Sequence, residues 1–318
     1  MMLPVMPAYR LAERAEEQRW LVTSLWSEQA VGIIGGEPKC GKSFLALDLA
    51  VAVAAGTACL RRFAVPQPGR VLLYAAEDAL HIVRRRLEGI CAAATVALAE
   101  LDIQVITAPI LRLDLDADRK SLEETIAKLQ PRLLVLDPFV RLHRIDENAS
   151  GEVAPLLAYL RELQRRYGLA VILVHHAKKG AGRIRAGQAL RGSSEFHAWG
   201  DSNLYLRRSD GPHEGGDLTL TVEHRAAPAL PAITLELVER GHALALEVSE
   251  PRTPPMPPPT SLDERITAVP TKTARPIPFL ELRGICRVRT ASLYGRLAAL
   301  TAAGRIVKSD KGYSLTTP

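Results

Sequence analysis

Eight consecutive residues carry the clearest chemical signal in this chain: Gly36-Glu37-Pro38-Lys39-Cys40-Gly41-Lys42-Ser43. They fit G-x-x-x-x-G-K-[ST], a phosphate-binding loop. The glycines allow backbone N–H groups to wrap an anion with no Cβ in the way. A helix beginning at the end of the loop adds the positive end of its dipole. In that geometry Lys42 reaches the β- and γ-phosphates, and the Ser43 hydroxyl coordinates Mg²⁺. The binding stretch extends through Phe44, and its ligand is a nucleoside triphosphate, expected to be ATP with Mg²⁺. Hydrolysis needs further groups.

Three other places supply candidates. Arg132-Leu133-Leu134-Val135-Leu136-Asp137 reads as a strand ending in an acid, and Asp137 is the candidate metal-site carboxylate. Val71-Leu72-Leu73-Tyr74-Ala75-Ala76-Glu77-Asp78 is a second such run. A carboxylate there polarises an attacking water; the alternative is that Glu77 or Asp78 caps the next helix. Val174-His175-His176 ends a third run. Adjacent strand residues face opposite ways, so the pair is a poor metal chelate. A neutral histidine sensing phosphate and a satisfied core histidine both remain open.

These side chains must be delivered by strands that end together. Apolar runs at Val31–Ile34, Val71–Ala75, Ile103–Thr107, Leu133–Leu136 and Ala170–Val174 read as strands. Helical patterns lie between them at Phe44–Ala55, Ala79–Ala94, Lys120–Leu129 and Val153–Tyr167, with one more from Leu11 to Leu21 in the N-terminal lead. The alternation predicts an α/β fold with a mostly parallel central sheet covered on both faces. After residue 200 the pattern changes to successive strands, Leu204–Leu206, Leu218–Val222, Ile233–Val238 and Leu244–Val248, which extend the sheet in part antiparallel.

Residues 251–260 hold six prolines and read as an extended spacer. The expected division is a nucleotide-binding domain over 1–250, a linker over 251–262 and a small α+β domain over 263–318. In the last part a helix near Leu280–Cys286, an amphipathic helix over Thr290–Leu300 and a basic hairpin around Ser309-Asp310-Lys311-Gly312 have the shape of a winged helix-turn-helix. Arg287, Arg289, Arg296, Lys308 and Lys311 are its candidate DNA contacts; winged helices also serve as protein-binding modules.

Charge separates the two parts. Of the 318 residues, 251–318 contain 11 Lys/Arg against 4 Asp/Glu, whereas 1–250 contain 30 against 31. The basic tail points to duplex DNA or another acidic partner, a replication protein included. No apolar run has the length of a membrane span, and no secretory signal is expected at the N-terminus. Cys40, Cys59, Cys91 and Cys286 lack metal spacing, so reduced thiols and a cytoplasmic location are expected.

The P-loop, Ala76-Glu77-Asp78, Val135-Leu136-Asp137, Glu147-Asn148-Ala149-Ser150-Gly151, His175-His176-Ala177 and Arg191-Gly192-Ser193-Ser194 follow one another over residues 20–240. In that order they resemble the RecA-like ATPases, and among them the RepA-type plasmid replicative helicases. The resemblance implies a homo-hexameric ring with ATP between subunits and single-stranded DNA in the channel. It gives Glu77 the role of catalytic base and His176 that of γ-phosphate sensor. Lys178, Lys179, Arg183, Arg185 and Arg191 fall where loops would line the channel and neutralise phosphates. The chain departs from the pattern at the arginine finger, where it has Asp201-Ser202-Asn203. Arg225 is the preferred substitute, with Arg207 and Arg208 as alternatives. The function expected is an ATP-driven DNA helicase or translocase in replication of a plasmid, phage or mobile element. The alternative is an ATP-switched loader or regulator that does not separate strands.

Overall fold

In the computed structural model these runs form a nine-stranded sheet; the structure describes residues 3, 5–11, 19–176, 195–208, 217–228, 230–240, 243–249, 261–271, 275–286 and 288–315. The chain divides into two compact units, Met1–Glu250 and Pro251–Pro318. In the first unit a 3₁₀ turn over Ala8–Arg10 precedes a hairpin, β1 (Trp20–Val22) and β2 (Trp26–Ser27), followed by β3 (Val31–Gly36), α1 (Lys42–Ala55), β4 (Val71–Ala75) and α2 (Leu80–Ala94). Then come β5 (Ile103–Val105), α3 (Asp116–Leu129), β6 (Leu133–Asp137), α4 (Ser150–Tyr167), β7 (Ala170–His176), α5 (Glu195–Trp199), β8 (Ser202–Arg208), β9 (Leu218–His224), β10 (Ile233–Arg240) and β11 (Ala243–Val248).

The strand order is β11-β10-β9-β8-β3-β7-β6-β4-β5. The six strands from β8 to β5 in that order are parallel, while β9, β10 and β11 add antiparallel. The central strands are buried on both faces, which is why they read as continuous apolar runs. Side-chain parity divides them between two cores. Val71, Leu73, Leu133, Val135, Ile172 and Val174 join α1 and α2. Leu72, Leu134, Leu136, Val171 and Leu173 join α3 and α4.

One glycine sets the spacing of the sheet's centre: a Cβ on Gly32 of β3 would overlap the Ser202 carbonyl oxygen and crowd Trp26. The antiparallel extension curls back onto α1, bringing Leu218 and Leu246 against Gly41. It thereby braces the loop that the sequence singles out.

The N-terminal helix expected over Leu11–Leu21 is corrected in its described part. Trp20-Leu21-Val22 is a strand, and Leu21, Val22, Leu25 and Trp26 are fully buried. β-branched and aromatic residues with an apolar surface to cover prefer a hairpin there. Residues 12–18 lie outside the described set.

The second unit consists of α6 (Leu262–Thr271), α7 (Phe279–Cys286), α8 (Thr290–Ala302), β12 (Ile306–Ser309) and β13 (Gly312–Leu315). β12 and β13 form a hairpin, with Ile277 bridging Tyr313. Leu293, Leu297 and Leu300 of α8 pack on Leu282, Ile266 and Ile306. Sequence inspection does not assign α6, although its signal is present: Ser261 Oγ accepts from Glu264 N at 3.1 Å, and Glu264 Oε2 accepts from Ser261 N at 3.3 Å, a reciprocal capping box.

Candidate active site

Because β3, β4, β6 and β7 are parallel, their C-terminal ends emerge at one edge of the sheet. Gly36 lies beside His176 and Ala75 beside Asp137 in register. Around these ends is a cleft of about 370 Å³ lined by Lys42, Ser43, Glu77, Asp137 and His176. The structure thus brings together residues from four separate stretches of sequence.

The P-loop itself is tightly packed. A Cβ on Gly36 would collide with the Leu206 carbonyl oxygen and the Cys40 sulfur. Gly41 is the N-cap of α1 with φ 83°, a left-handed conformation that glycine adopts without penalty. Lys42 is buried, and its Nζ donates to the Glu37 carbonyl at 2.7 Å. Burial pulls its pKa below the ordinary lysine value, against the attraction of Cys40, Asp137, Glu77 and Glu37. The Cys40 thiol is buried too, and burial pushes its pKa up despite the nearby Lys42.

Asp137 sits at the end of β6 on the α1 side, hydrogen-bonded to Ser43. Burial raises its pKa to about 6, and the negative charges of Asp78 and Glu77 add to the rise against the opposing Ser43 and Lys42. A buried carboxylate beside a hydroxyl, in an acidic environment, has the donor set and the excess negative charge that a hard divalent cation relieves. Ser43 and Asp137 therefore fit Mg²⁺.

Neither Glu77 nor Asp78 caps α2: its N-cap is Ala79, with no side-chain hydrogen bond. Glu77 Oε1 instead accepts from Arg141 Nε at 2.9 Å, and Asp78 pairs with Arg86. Arg86, which also lines the cleft, lies over the Phe44 ring at 5.3 Å. Leu237 of β10 completes that end of the cleft. Arg86 and Leu237 line the cleft and Arg141 contacts its Glu77, and all three escape sequence inspection because tertiary packing brings them there.

Parity separates the two histidines. His176 falls on the α1 side with Asp137 and lines the cleft. Its Nδ1 is buried without a hydrogen-bond partner among the described residues. Burial, then the charge of Lys42, lowers its pKa, so it is neutral at pH 7. His175 points to the opposite core, stacked on Phe196 at 4.4 Å and with Glu147 Oε1 4.0 Å from its Nδ1. Glu147 lies 3.3 Å from His143 Nε2 as well, which places the Glu147–Gly151 motif against β7.

Arg225 lies away from the cleft of its own chain. Its backbone N donates to the Asp201 carbonyl at 2.8 Å, at the start of β8, whereas the P-loop abuts the end of that strand. Its guanidinium contacts the Ala198 carbonyl and lies 3.6 Å from Asp201 Oδ1, beside a depression of about 420 Å³. The Asp201-Ser202-Asn203 stretch holds the sheet together: Asp201 accepts from Val31 N and Arg161, and Asn203 Oδ1 accepts from Ile33 N at 3.0 Å. Arg208 donates to the Lys39 carbonyl of its own P-loop at 2.8 Å.

Lys178, Lys179, Arg183, Arg185, Arg191 and Arg287 lie outside the described residues. In the second unit Arg289, Lys308 and Lys311 are exposed. Arg296 is paired with Asp263 through both Nε and Nη2, its Nε 2.6 Å from Oδ1. Among the described residues no helix is long and apolar enough to cross a membrane.

Comparison with known proteins gives two findings. The family described as AAA domain matches residues 2–182. The crystal structure of the RadB recombinase aligns with a TM-score of 0.51 over 70% of this chain and 92% of that one, at 19% sequence identity. At that identity the likeness concerns the fold, a mostly parallel sheet of the RecA-like kind.

Proposed function

The chain belongs to the AAA domain family as a RecA-like P-loop ATPase, and on that premise we propose that it is a ring-forming DNA helicase or translocase. The observation that carries the proposal is the convergence of Lys42, Ser43, Glu77, Asp137 and His176 on one cleft. The P-loop amides and Lys42 hold the β- and γ-phosphates. Ser43 and Asp137 hold Mg²⁺, which when bound neutralises phosphate charge. Glu77 orients a water and takes its proton as the water oxygen attacks the γ-phosphorus, and the bond to the β–γ bridging oxygen breaks to leave ADP and phosphate. Neutral His176 retains an N–H with which to read the γ-phosphate and, through β7, transmits its loss to the segment that follows.

Arg225, at the opposite end of β8 from its own P-loop, serves a neighbouring subunit's cleft as the arginine finger. Single-stranded DNA occupies the ring channel, contacted by Lys178, Lys179, Arg183, Arg185 and Arg191. The second unit, three helices and a hairpin, acts as a winged helix whose Arg289, Lys308 and Lys311 meet duplex phosphates. A recombinase among the structural relatives is in keeping with a nucleic-acid role. The six-fold ring and the work in plasmid, phage or mobile-element replication rest on the resemblance to RepA-type helicases.

The test is ATP turnover with and without single-stranded DNA, together with displacement of a strand from a forked duplex. Lys42→Ala and Glu77→Gln should each abolish both, with Glu77→Gln still binding nucleotide. Turnover stimulated by DNA with no fork ever opened would favour an ATP-switched loader instead.

A further inference from the structure

The ion pair between Glu77 and Arg141 is unexpected for a general base. Such a group must be placed against its water, yet Glu77 Oε1 accepts from Arg141 Nε at 2.9 Å, which ties the carboxylate to the turn that carries Arg141. Arg141 stands four residues beyond Asp137, in a 3₁₀ turn over Phe139–Arg141. That turn is well anchored. Phe139 is fully buried against Phe196, His143 and His175, and Leu142 is buried beside it. Leu113 N donates to the Leu142 carbonyl at 2.6 Å. The backbone is thus fixed while the arginine head is free to turn, its side chain 61% exposed. Arg144, three residues on, is exposed on the same loop.

We propose that Arg141 is a brake on Glu77, released when a phosphate of single-stranded DNA takes the guanidinium. The inference rests on the function proposed above and concerns how DNA switches the same site on. Exposed ion pairs are weak, so the pair is easily exchanged. A guanidinium binds phosphate in the same bidentate manner as carboxylate. Rotation of one side chain then suffices: Arg141 turns to the phosphate, and the Glu77 carboxylate is freed to swing to the water. The anchored turn makes this a rotamer change without loop rearrangement. An arginine that merely positioned Glu77 would have the opposite effect when removed.

The experiment compares the full chain with Arg141→Ala and Arg141→Gln in steady-state ATP turnover, with and without poly-dT, after melting curves establish that each variant is folded. Basal turnover should rise about two- to fivefold in both variants, the factor corresponding to an exposed ion pair. The stimulation ratio should shrink accordingly, and adding Glu77→Gln should remove the gain. Fluorescence anisotropy with labelled poly-dT should show a salt slope shallower by about one contact. Stimulated turnover in the unmodified chain with an unchanged or lower basal rate in Arg141→Ala overturns the brake alone. Turnover absent from all chains overturns the proposed function along with it.

Discussion

At the scale of single residues, the site is built from groups kept out of their ordinary electrostatic comfort. Asp137 is the clearest example, a carboxylate raised to about 6 by burial and by its acidic neighbours. The sign of the linkage follows from the direction of the shift. A carboxylate whose folded pKa exceeds its unfolded value of 3.8 makes the folded state hold its proton to higher pH. Its charge therefore costs stability, fully above about pH 6 and not at all below about pH 4. The shift corresponds to roughly 3 kcal/mol, or several degrees in melting temperature for a unit of this size. Asp137→Asn should therefore raise the melting temperature of the metal- and nucleotide-free protein at pH 7.5, with the gain shrinking as pH falls from 6 to 4. The same substitution should remove Mg²⁺-dependent turnover. Calorimetry across that pH range checks the first part, and an equal gain at every pH would show that desolvation of the charge is not its cause.

At the scale of elements, Gly32 makes the arrangement possible. β3 must lie close to the start of β8, and any side chain at Gly32 meets the Ser202 carbonyl. Overpacking a rigid core typically costs about 1–3 kcal/mol, and here the obstacle is backbone, which has no rotamer to yield. Gly32→Ala should lower the urea midpoint markedly or prevent soluble folding, whereas Gly151→Ala, in open space, should leave the midpoint within error. Much of this level is legible in the sequence. The apolar runs locate β3, β4, β6 and β7 because both faces are buried, and the P-loop, Asp137 and Glu77 follow from the strand ends. Parity of adjacent strand residues correctly predicts that His175 and His176 face apart. The β1–β2 hairpin is not legible, since Trp20-Leu21-Val22 reads equally as helix until the surface it covers is known. Arg141 is not legible either, since its partner Glu77 lies 64 positions away in the chain, and the contact of Arg86 with the Phe44 ring spans 42 positions, although its ion-pair partner Asp78 is near in sequence. Asp201, which occupies the position expected of a finger, turns out to anchor β8 through Arg161 and Val31.

At the scale of the whole molecule, the decisive feature is that Arg225 and the P-loop that carries Lys42 abut opposite ends of β8. If Arg225 completes a neighbour's cleft, one chain can supply the loop and another the arginine. The Lys42→Ala chain retains Arg225, and the Arg225→Ala chain retains its P-loop; each alone should be nearly inactive. Arg225→Ala should leave the fold intact, because Arg161 still pairs with Asp201. In an equal mixture assembling at random into head-to-tail rings, about a quarter of the interfaces join an intact P-loop to an intact Arg225. Turnover should then recover to roughly that fraction of the unmodified protein when sites fire independently, and to less when they must fire in sequence. Recovery should vanish on dilution as the rings dissociate. A mixture no more active than its separate components, in rings of normal mass by light scattering, would remove Arg225 from the role and turn attention to Arg207. Arg208 is the weaker alternative, since it is already committed to the Lys39 carbonyl of its own loop.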